Sequence, residues 1–273
     1  MLLPRLITAL ILLPLVLGAI WTATPAALYG LFSVAALLVA NEWAALIGYG
    51  NTAARAGYVA ITGLVLAALW FIPARELVML LLFGASVLWW LWALHLIRAY
   101  PESLPTTPAA PKLAALGLLM IVPAISALSV LHMQDNGPLK LIYVFGIVWA
   151  ADVGAYFAGR SLGRNKLLPK VSPGKTREGA IGGLATVLLW SALVGPWAFE
   201  PSGVAEWAML LLLTMIAAGL SIVGDLAISM FKRRTGLKDT GSLLPGHGGL
   251  LDRVDSLLAA APVMALGVQL AIQ

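Results

Sequence analysis

A stretch without any charged side chain, residues 6–41, sets the strongest limit on the fold of this chain. As one helix it would be about 54 Å long, whereas about 20 apolar residues cross the ~30 Å hydrocarbon core of a membrane. We expect a break at Thr22-Ala23-Thr24-Pro25, because proline ends helices and is favoured where new ones begin. The stretch therefore predicts two membrane spans.

The composition of the whole chain agrees with a membrane protein. Of 273 residues, 61% are hydrophobic and 11% are charged, whereas soluble domains are about half apolar and a quarter charged. The absence of cysteine excludes thiolate catalysis, iron–sulfur clusters and cysteine-ligated zinc. We expect an all-α, polytopic membrane protein with about nine spans, since seven further low-charge stretches follow: 56–74, 77–97, 113–134, 138–158, 179–199, 207–231 and 250–271.

The basic residues predict the orientation. With nine spans, fifteen of the 17 Lys and Arg residues lie on one side and only Arg75 and Lys140 on the other. Because cytoplasmic loops are enriched in Lys and Arg, we expect a cytoplasmic N-terminus and an external C-terminus. One internal span more or fewer would remove this asymmetry. A cleaved signal peptide ending near Ala23 is the alternative for the first stretch, but another span follows at once.

A proline-rich segment, residues 100–112, divides the chain into two predicted parts. Residues 1–112 would hold about four N-terminal spans and this cytoplasmic linker. Residues 113–273 would form a C-terminal catalytic domain of about five spans. Few ionisable groups lie inside the predicted spans before about residue 130, whereas the C-terminal half carries nearly all candidate catalytic residues, and the sequence shows no internal repeat of the kind found in inverted-repeat transporters.

Two aspartates lie inside predicted spans, where a charge is costly and needs a reason. Asp152 precedes Arg160 by eight residues and Asp225 precedes Lys232 by seven, which puts the two carboxylates about 12 Å and about 10 Å from the cytoplasmic helix ends. Both helices run in the same direction, so the depths match. Either aspartate could instead be a structural residue bonded to a neighbouring helix.

The start of the last span adds two further carboxylates. Asp252 and Asp255 are three residues apart and so project from one helical face. Together with Asp225 they would form an oxygen-rich pocket of the kind that suits Mg²⁺. A helix dipole favours aspartate at its N-terminus and explains one of these residues, but not the cluster.

Basic and glycine-rich segments surround these acids. Gly246, Gly248 and Gly249 flank His247 just before a helix start, where backbone N–H groups favour anions. Residues 172–179 resemble a phosphate-binding loop in composition, but they lack the Walker spacing, and no strand is expected before them. Carboxylates for a metal and cations for phosphates indicate phosphoryl transfer between a soluble nucleotide and a lipid phosphate. The basic residues are Lys175, Arg177, Lys232, Arg233, Lys238 and Arg253.

The segment 229–255 contains four closely spaced motifs: Ser229-x-x-Lys232-Arg233, Lys238-Asp239-x-Gly241, Leu244-Pro245-Gly246-His247-Gly248-Gly249 and Asp252-Arg253-x-Asp255. Together they resemble the signature of the phosphatidate cytidylyltransferase (CDP-diacylglycerol synthase) family. The similarity extends to residues 172–179, to Asp152 and to Glu42-Trp43. It implies a Mg²⁺-dependent reaction of CTP with phosphatidate in the cell membrane, in a homodimer without a nucleic-acid partner.

The resemblance and the residues together predict roles. Asp225, Asp252 and Asp255 would hold the metal, and a second, monovalent cation is left open. Lys232 and Arg233 would act with them in catalysis. Substrate binding would use Asp152, Lys175, Ser229, Lys238, Asp239, Gly246, His247, Gly248, Gly249 and Arg253. His247 could donate to a phosphate or cap the turn, and the sequence does not divide the basic residues between CTP and lipid.

Two other functions are alternatives to this one. A CDP-alcohol phosphotransferase needs the run D-G-x-x-A-R-x₈-G-x₃-D-x₃-D, which neither Gly224-Asp225 nor Asp252-Arg253 begins. A cation-coupled transporter would carry polar groups near the membrane midplane, whereas here they cluster towards one face. Both are therefore disfavoured.

Overall fold

The computed structural model describes residues 3–73, 75–102, 110–243, 246 and 248–271. In this part of the chain nine helices and one short hairpin are present. Their bounds are α1 Leu3–Thr22, α2 Pro25–Leu46, α3 Thr52–Phe71, α4 Glu76–Arg98, α5 Ala110–His132, α6 Gly137–Leu162, β1 Lys166–Leu168, β2 Ser172–Thr176, α7 Arg177–Phe199, α8 Val204–Thr235 and α9 Leu251–Ala271.

The helix boundaries follow the predicted spans closely. The break between α1 and α2 lies where Pro25 opens α2, and the Thr24 hydroxyl accepts a hydrogen bond from the Ala27 N–H at 3.3 Å. Eight helices, α2 to α9, are long and apolar enough to cross a membrane. Among the described residues α1 adds a shorter apolar segment, Leu13–Thr22. The chain is therefore a multi-pass membrane protein.

Helix α9 lies at the centre of the bundle. It packs against α8, α5, α4, α6 and α2, and its buried share is the largest of the eight spans. Helices of the predicted N-terminal part, α2 and α4, thus contact the helices that carry Asp225 and Asp252. The division at residue 112 stays a prediction, and the two sets of helices share a packed interface.

Small residues bring α6 and α7 into close contact along their length. A Cβ at Gly154 would overlap the Thr186 hydroxyl, and one at Gly182 would overlap the Ala158 methyl group. Membrane helices gain little from hydrophobic burial, so close van der Waals packing between small residues is a main source of their association. This contact fixes the part of α6 that carries Asp152.

The segment before α7 differs from the prediction. We expected no strand there, but β1 pairs antiparallel with β2, with Lys166 opposite Thr176 and Leu168 opposite Ser172. Thr176 then caps α7 by accepting from the Gly179 N–H at 3.1 Å. The residues expected to form a loop therefore form a hairpin strand that runs directly into a helix.

Candidate active site

A polar cavity of about 250 Å³ lies where α6, α8, α9 and the loop between α8 and α9 meet. Five aspartates, Lys232 and Arg253 face it, so the acidic residues predicted from their matched depth come together. The lining residues are Val148, Asp152, Asp225, Lys232, Asp239, Asp252, Arg253, Asp255 and Ser256.

Asp252 is held from three sides. Its Oδ1 accepts a hydrogen bond from Lys232 Nζ at 2.7 Å, and the two side chains are only 3% and 14% exposed. Its Oδ2 accepts from the backbone N–H groups of Thr240 at 2.8 Å and Gly249 at 3.1 Å. The carboxylate therefore fixes both Lys232 and the two ends of the glycine-rich loop.

Asp225 has a different partner, which comes from the hairpin. Lys175 on β2 forms an ion pair with its Oδ2, and the Ser229 hydroxyl donates to its Oδ1 at 3.2 Å, one helical turn further along α8. Strand β2 thus delivers a cation to a carboxylate that α8 holds within the bundle. Both side chains of the ion pair are partly buried.

Gly224 brings Asp225 near the second carboxylate of α9. A Cβ at Gly224 would overlap the backbone carbonyl oxygen of Asp255, so α8 and α9 pack here without an intervening side chain. Asp255 is buried, and its Oδ1 accepts from the Ser256 N–H at 2.7 Å. The close approach of the two backbones explains why Asp225 and Asp255 share one cavity.

A second cavity, of about 400 Å³, lies between α6, α7 and β2. Small and apolar residues such as Ala151, Ala155 and Gly183 form much of its wall. Asp152 and Ser256 line both cavities, so the two are neighbours. The polar groups at the second cavity include Tyr156, Arg160, Lys175 and Thr176, and Arg160 donates to the Tyr156 hydroxyl at 2.9 Å.

Some predicted site residues lie elsewhere in the described part of the chain. Arg233 lines neither cavity, and its Nε donates to the backbone oxygen of Val171 in the hairpin turn at 3.3 Å. Lys238 is exposed on the loop and also lines neither cavity. His247 lies outside the described residues. The predicted roles of these three residues stay predictions.

The glycines of the loop adopt the conformation that their type permits. Gly246 and Gly248 have φ values of +77° and +82°, which non-glycine residues rarely adopt. A Cβ at Gly248 would lie 3.0 Å from the Asp252 Oδ2 and 3.3 Å from the Asp239 Cβ. The loop backbone at Gly248 therefore lies directly against Asp239 and Asp252, two residues that line the acidic cavity.

The donor set of the acidic cavity fits a hard divalent cation. Carboxylate oxygens are the ligands that Mg²⁺ prefers, with water and phosphate oxygens completing its shell. Among the described residues, no three acidic or histidine side chains already converge on one point. The ammonium groups of Lys175 and Lys232 instead lie against Asp225 and Asp252. A metal would therefore need these carboxylates to turn partly from lysine towards the ion.

Comparison with known proteins gives the family. A sequence model described as the cytidylyltransferase family matches residues 3–271. The chain belongs to this family. It is 42% identical over 270 residues to the phosphatidate cytidylyltransferase of Pseudomonas aeruginosa, which covers 97% of this chain and 96% of that one. The Haemophilus influenzae phosphatidate cytidylyltransferase is 42% identical over 185 residues, covering 65% of this chain and 64% of the relative.

The similarity to a third relative covers about half of the chain. The phosphatidate cytidylyltransferase of Brucella suis is 45% identical over 144 residues, which is 52% of each chain. The family match itself, over residues 3–271, includes α6, α7, α8 and α9, the helices whose residues line the two cavities. The signature resemblance is therefore confirmed at the level of the family.

The structure gives a place at the site to two residues, Thr240 and Glu42, that the sequence did not assign to it. Thr240 supplies both its N–H and its hydroxyl to carboxylates, and Glu42 accepts three hydrogen bonds at the base of the loop. The sequence held a signal for Glu42: it is the first charge after a long uncharged stretch, within a membrane helix. A buried charge of this kind requires partners, but the sequence did not show where they were.

Proposed function

We propose that the chain transfers the cytidylyl group of CTP to phosphatidate, giving CDP-diacylglycerol and pyrophosphate. The observation that carries this is the cavity in which five aspartates face Lys232 and Arg253, next to a larger and less polar cavity. Such a pair of sites suits a triphosphate beside a lipid. The named relatives support the same reaction.

The two substrates would occupy different cavities. The acidic cavity, with its cations and the glycine-rich loop, suits the triphosphate of CTP and its metal. The larger cavity suits the phosphate and glycerol of phosphatidate, because apolar residues of α6 and α7 form its wall while Lys175 and Arg160 stand at its edge. Asp152 and Ser256, which line both, mark the place where the reacting phosphates would meet.

Asp225, Asp252 and Asp255 would hold Mg²⁺, with Asp152 and Asp239 at the margin of the same cavity. When bound, Mg²⁺ would supply positive charge that offsets the negative charge developing on the phosphates during transfer. The protein then has two tasks: it aligns the phosphates and it balances their charge. A second, monovalent cation stays a prediction.

The chain's own residues would carry out the transfer as follows. A phosphate oxygen of phosphatidate forms a bond with the α-phosphorus of CTP, and the bond from that phosphorus to the bridging oxygen breaks. Lys232 and Arg253 would stabilise the leaving pyrophosphate, and Lys175 would orient the lipid phosphate. A phosphate monoester is already anionic at neutral pH, so no side chain is needed as a general base.

The site would face the cytoplasm of the cell membrane. Fifteen of 17 Lys and Arg residues belong to the side that carries the hairpin and the loop between α8 and α9, and this side is cytoplasmic by the distribution of positive charge. CTP would then reach the acidic cavity from the cytosol. A homodimer, implied by the family resemblance, is a further expectation that mass measurement in detergent would test.

The test uses the purified protein in detergent with labelled CTP, phosphatidate and Mg²⁺. We expect labelled CDP-diacylglycerol, dependence of its formation on Mg²⁺, and none from Asp225→Ala that is still folded and membrane-inserted. As a control for the alternative function, a CDP-alcohol phosphotransferase, the protein is incubated with CDP-diacylglycerol and glycerol phosphate instead of CTP. This mixture should give no new phospholipid. Absence of CDP-diacylglycerol from the wild-type protein, or full activity of Asp225→Ala, would reject the proposal.

A further inference from the structure

Glu42 is a buried carboxylate that joins α2 to the start of α9. It is 7% exposed. Its Oε1 accepts from the Leu250 N–H at 2.9 Å, and its Oε2 accepts from the Leu251 N–H at 2.8 Å and from the Thr240 hydroxyl at 3.0 Å. All three donors belong to the loop between α8 and α9 or to the first residue of α9, more than 190 residues away in sequence.

These contacts solve a local problem at the start of α9. The first N–H groups of a helix have no partner within the helix, and a negative charge near them is favourable. Glu42 supplies one oxygen to each of two successive N–H groups. A residue of another helix thus acts as the cap for the helix that carries Asp252 and Asp255.

The loop is shaped to admit this carboxylate. The three atoms nearest to a Cβ built at Gly241 all belong to the Glu42 side chain, with Oε1 at 2.7 Å. A Cβ at Gly249 would overlap the Glu42 Oε2. The backbone therefore lies directly against the carboxylate on two sides, and neither position has room for a side chain while Glu42 keeps its place.

Two carboxylates together close the base of the loop. Asp252 accepts from the N–H groups of Thr240 and Gly249, and Glu42 accepts from the Thr240 hydroxyl and from the two residues that follow Gly249. Asp252 lines the acidic cavity, whereas Glu42 does not line it among the described residues. The three hydrogen bonds of Glu42 therefore reach the cavity through the loop and the start of α9.

We propose that Glu42 is a positioning residue: it holds the glycine-rich loop and Asp252 in place for the transfer, without touching the substrates. This inference rests on the proposed cytidylyl transfer. Gln at this position could accept from only one of the two N–H groups, since its amide nitrogen is a donor. Both Glu42→Gln and Glu42→Ala should therefore displace the loop.

Turnover at saturating substrate is the first measurement. We expect Glu42→Gln and Glu42→Ala to lower kcat by about 100-fold, as a misplacement of about 1 Å in an active site does, with the KM for phosphatidate within about twofold of wild type. Tyr29→Phe is the matched control, because it removes another buried hydrogen bond of α2, that from the Tyr29 hydroxyl to the Leu66 carbonyl at 2.7 Å. It should keep wild-type kcat.

Two further measurements separate positioning from a loss of folding or a failure of the proposed reaction. Amide hydrogen exchange at Leu250 and Leu251 should accelerate in Glu42→Gln and stay slow in Tyr29→Phe, whether or not the wild-type protein makes CDP-diacylglycerol. Gly241→Ala should reduce turnover in the wild-type background but not further in Glu42→Ala, because the three atoms nearest to the added methyl group all belong to the Glu42 side chain. Wild-type kcat in Glu42→Gln, unchanged exchange, or additive losses in the double variant would each overturn the inference.

Discussion

Lys232 on α8 donates a hydrogen bond to Asp252 at the start of α9, with 2.7 Å between Nζ and Oδ1. The pair lies at the point where the chain returns from α8 through the glycine-rich loop, and Asp252 also binds both ends of that loop. The Asp252 carboxylate thus sets the relative position of α9, the glycine-rich loop and the ammonium group of Lys232. These are the parts that would surround a triphosphate.

Asp252→Asn should abolish measurable transfer, with a loss of at least about 100-fold in kcat, the size observed when an active-site group is misplaced. Asparagine has only one acceptor oxygen, so it cannot accept both from Lys232 and from the two backbone N–H groups. We therefore expect the loop or the Lys232 ammonium group to move. Transfer of label from CTP to lipid gives the rate.

Glu206→Gln is the control for this change. Glu206 also accepts from a backbone N–H, that of Ser202 at 2.8 Å, but it lies in the first turn of α8, far along the helix from the site. It should keep wild-type turnover. Equal effects of the two substitutions, or an active Asp252→Asn, would contradict the role given to Asp252.

Gly224→Ala tests the close approach of α8 and α9. The added methyl would overlap the Asp255 carbonyl oxygen and push the two helices apart, which costs about 1–3 kcal/mol when a packed core is overfilled. We expect a lower thermal transition in detergent and a lower kcat, since Asp225 and Asp255 would separate.

Gly219→Ala provides the comparison within the same helix. Apart from the two neighbouring residues and the nearby backbone of α8 itself, no atom of the described residues lies within 4 Å of a Cβ built at Gly219. Alanine is also the better helix former by about 1 kcal/mol. This variant should be as stable as the wild type or slightly more so, with unchanged kcat. Harmless substitution at both positions would mean that the Gly224 contact does not constrain the site.

Much of the helix framework could be predicted because it depends on local properties. The uncharged stretch 6–41 and Pro25 correctly predict the break between α1 and α2. The matched depths of Asp152 and Asp225 predict that the two carboxylates lie at one level of the membrane, and both line the same cavity. Helix period and the distance to the nearest basic residue suffice for such inferences. They use only residues close together in sequence.

Contacts between distant segments were beyond the same reasoning. The β2 strand contains Pro173 and Gly174, residue types that are rare in strands, and a two-stranded ribbon tolerates them because each strand is an edge. That hairpin determines that Lys175 meets Asp225 and that Arg233 binds Val171 instead of the cavity. The partners of Glu42 likewise depend on how α2 packs, which no local pattern encodes.

Lys175→Met should strengthen the binding of a divalent ion while it slows transfer. The lysine ammonium competes with a cation for Asp225, and removal of a unit charge at this distance is worth about 1–4 kcal/mol. We expect the Kd of Mn²⁺, measured by electron paramagnetic resonance, to fall by about 10-fold, equivalent to about 1.4 kcal/mol. Turnover should fall because the lipid phosphate loses its counter-charge.

Lys170→Met, in the same hairpin, is the control that shows whether the loss of one positive charge anywhere in the hairpin is enough to change Mn²⁺ affinity and turnover. Lys170 is exposed and contacts Glu102 at 3.8 Å, and an exposed pair contributes little. Its loss should leave both Mn²⁺ affinity and turnover unchanged. If Lys175→Met binds Mn²⁺ no better than Lys170→Met, the proposed metal position beside Asp225 is wrong.

The orientation can be tested with single cysteines, because the chain has none of its own. Val204 is 88% exposed at the start of α8, and Ser242 is exposed on the loop beyond its other end. A helix of 32 residues, about 48 Å long, separates the two positions, so they should lie on opposite sides of the membrane. In right-side-out vesicles a membrane-impermeant maleimide should label Val204→Cys but not Ser242→Cys, and inside-out vesicles should give the reverse. Labelling of Ser242→Cys from the outside would place the acidic cavity away from cytosolic CTP and reject the proposed orientation.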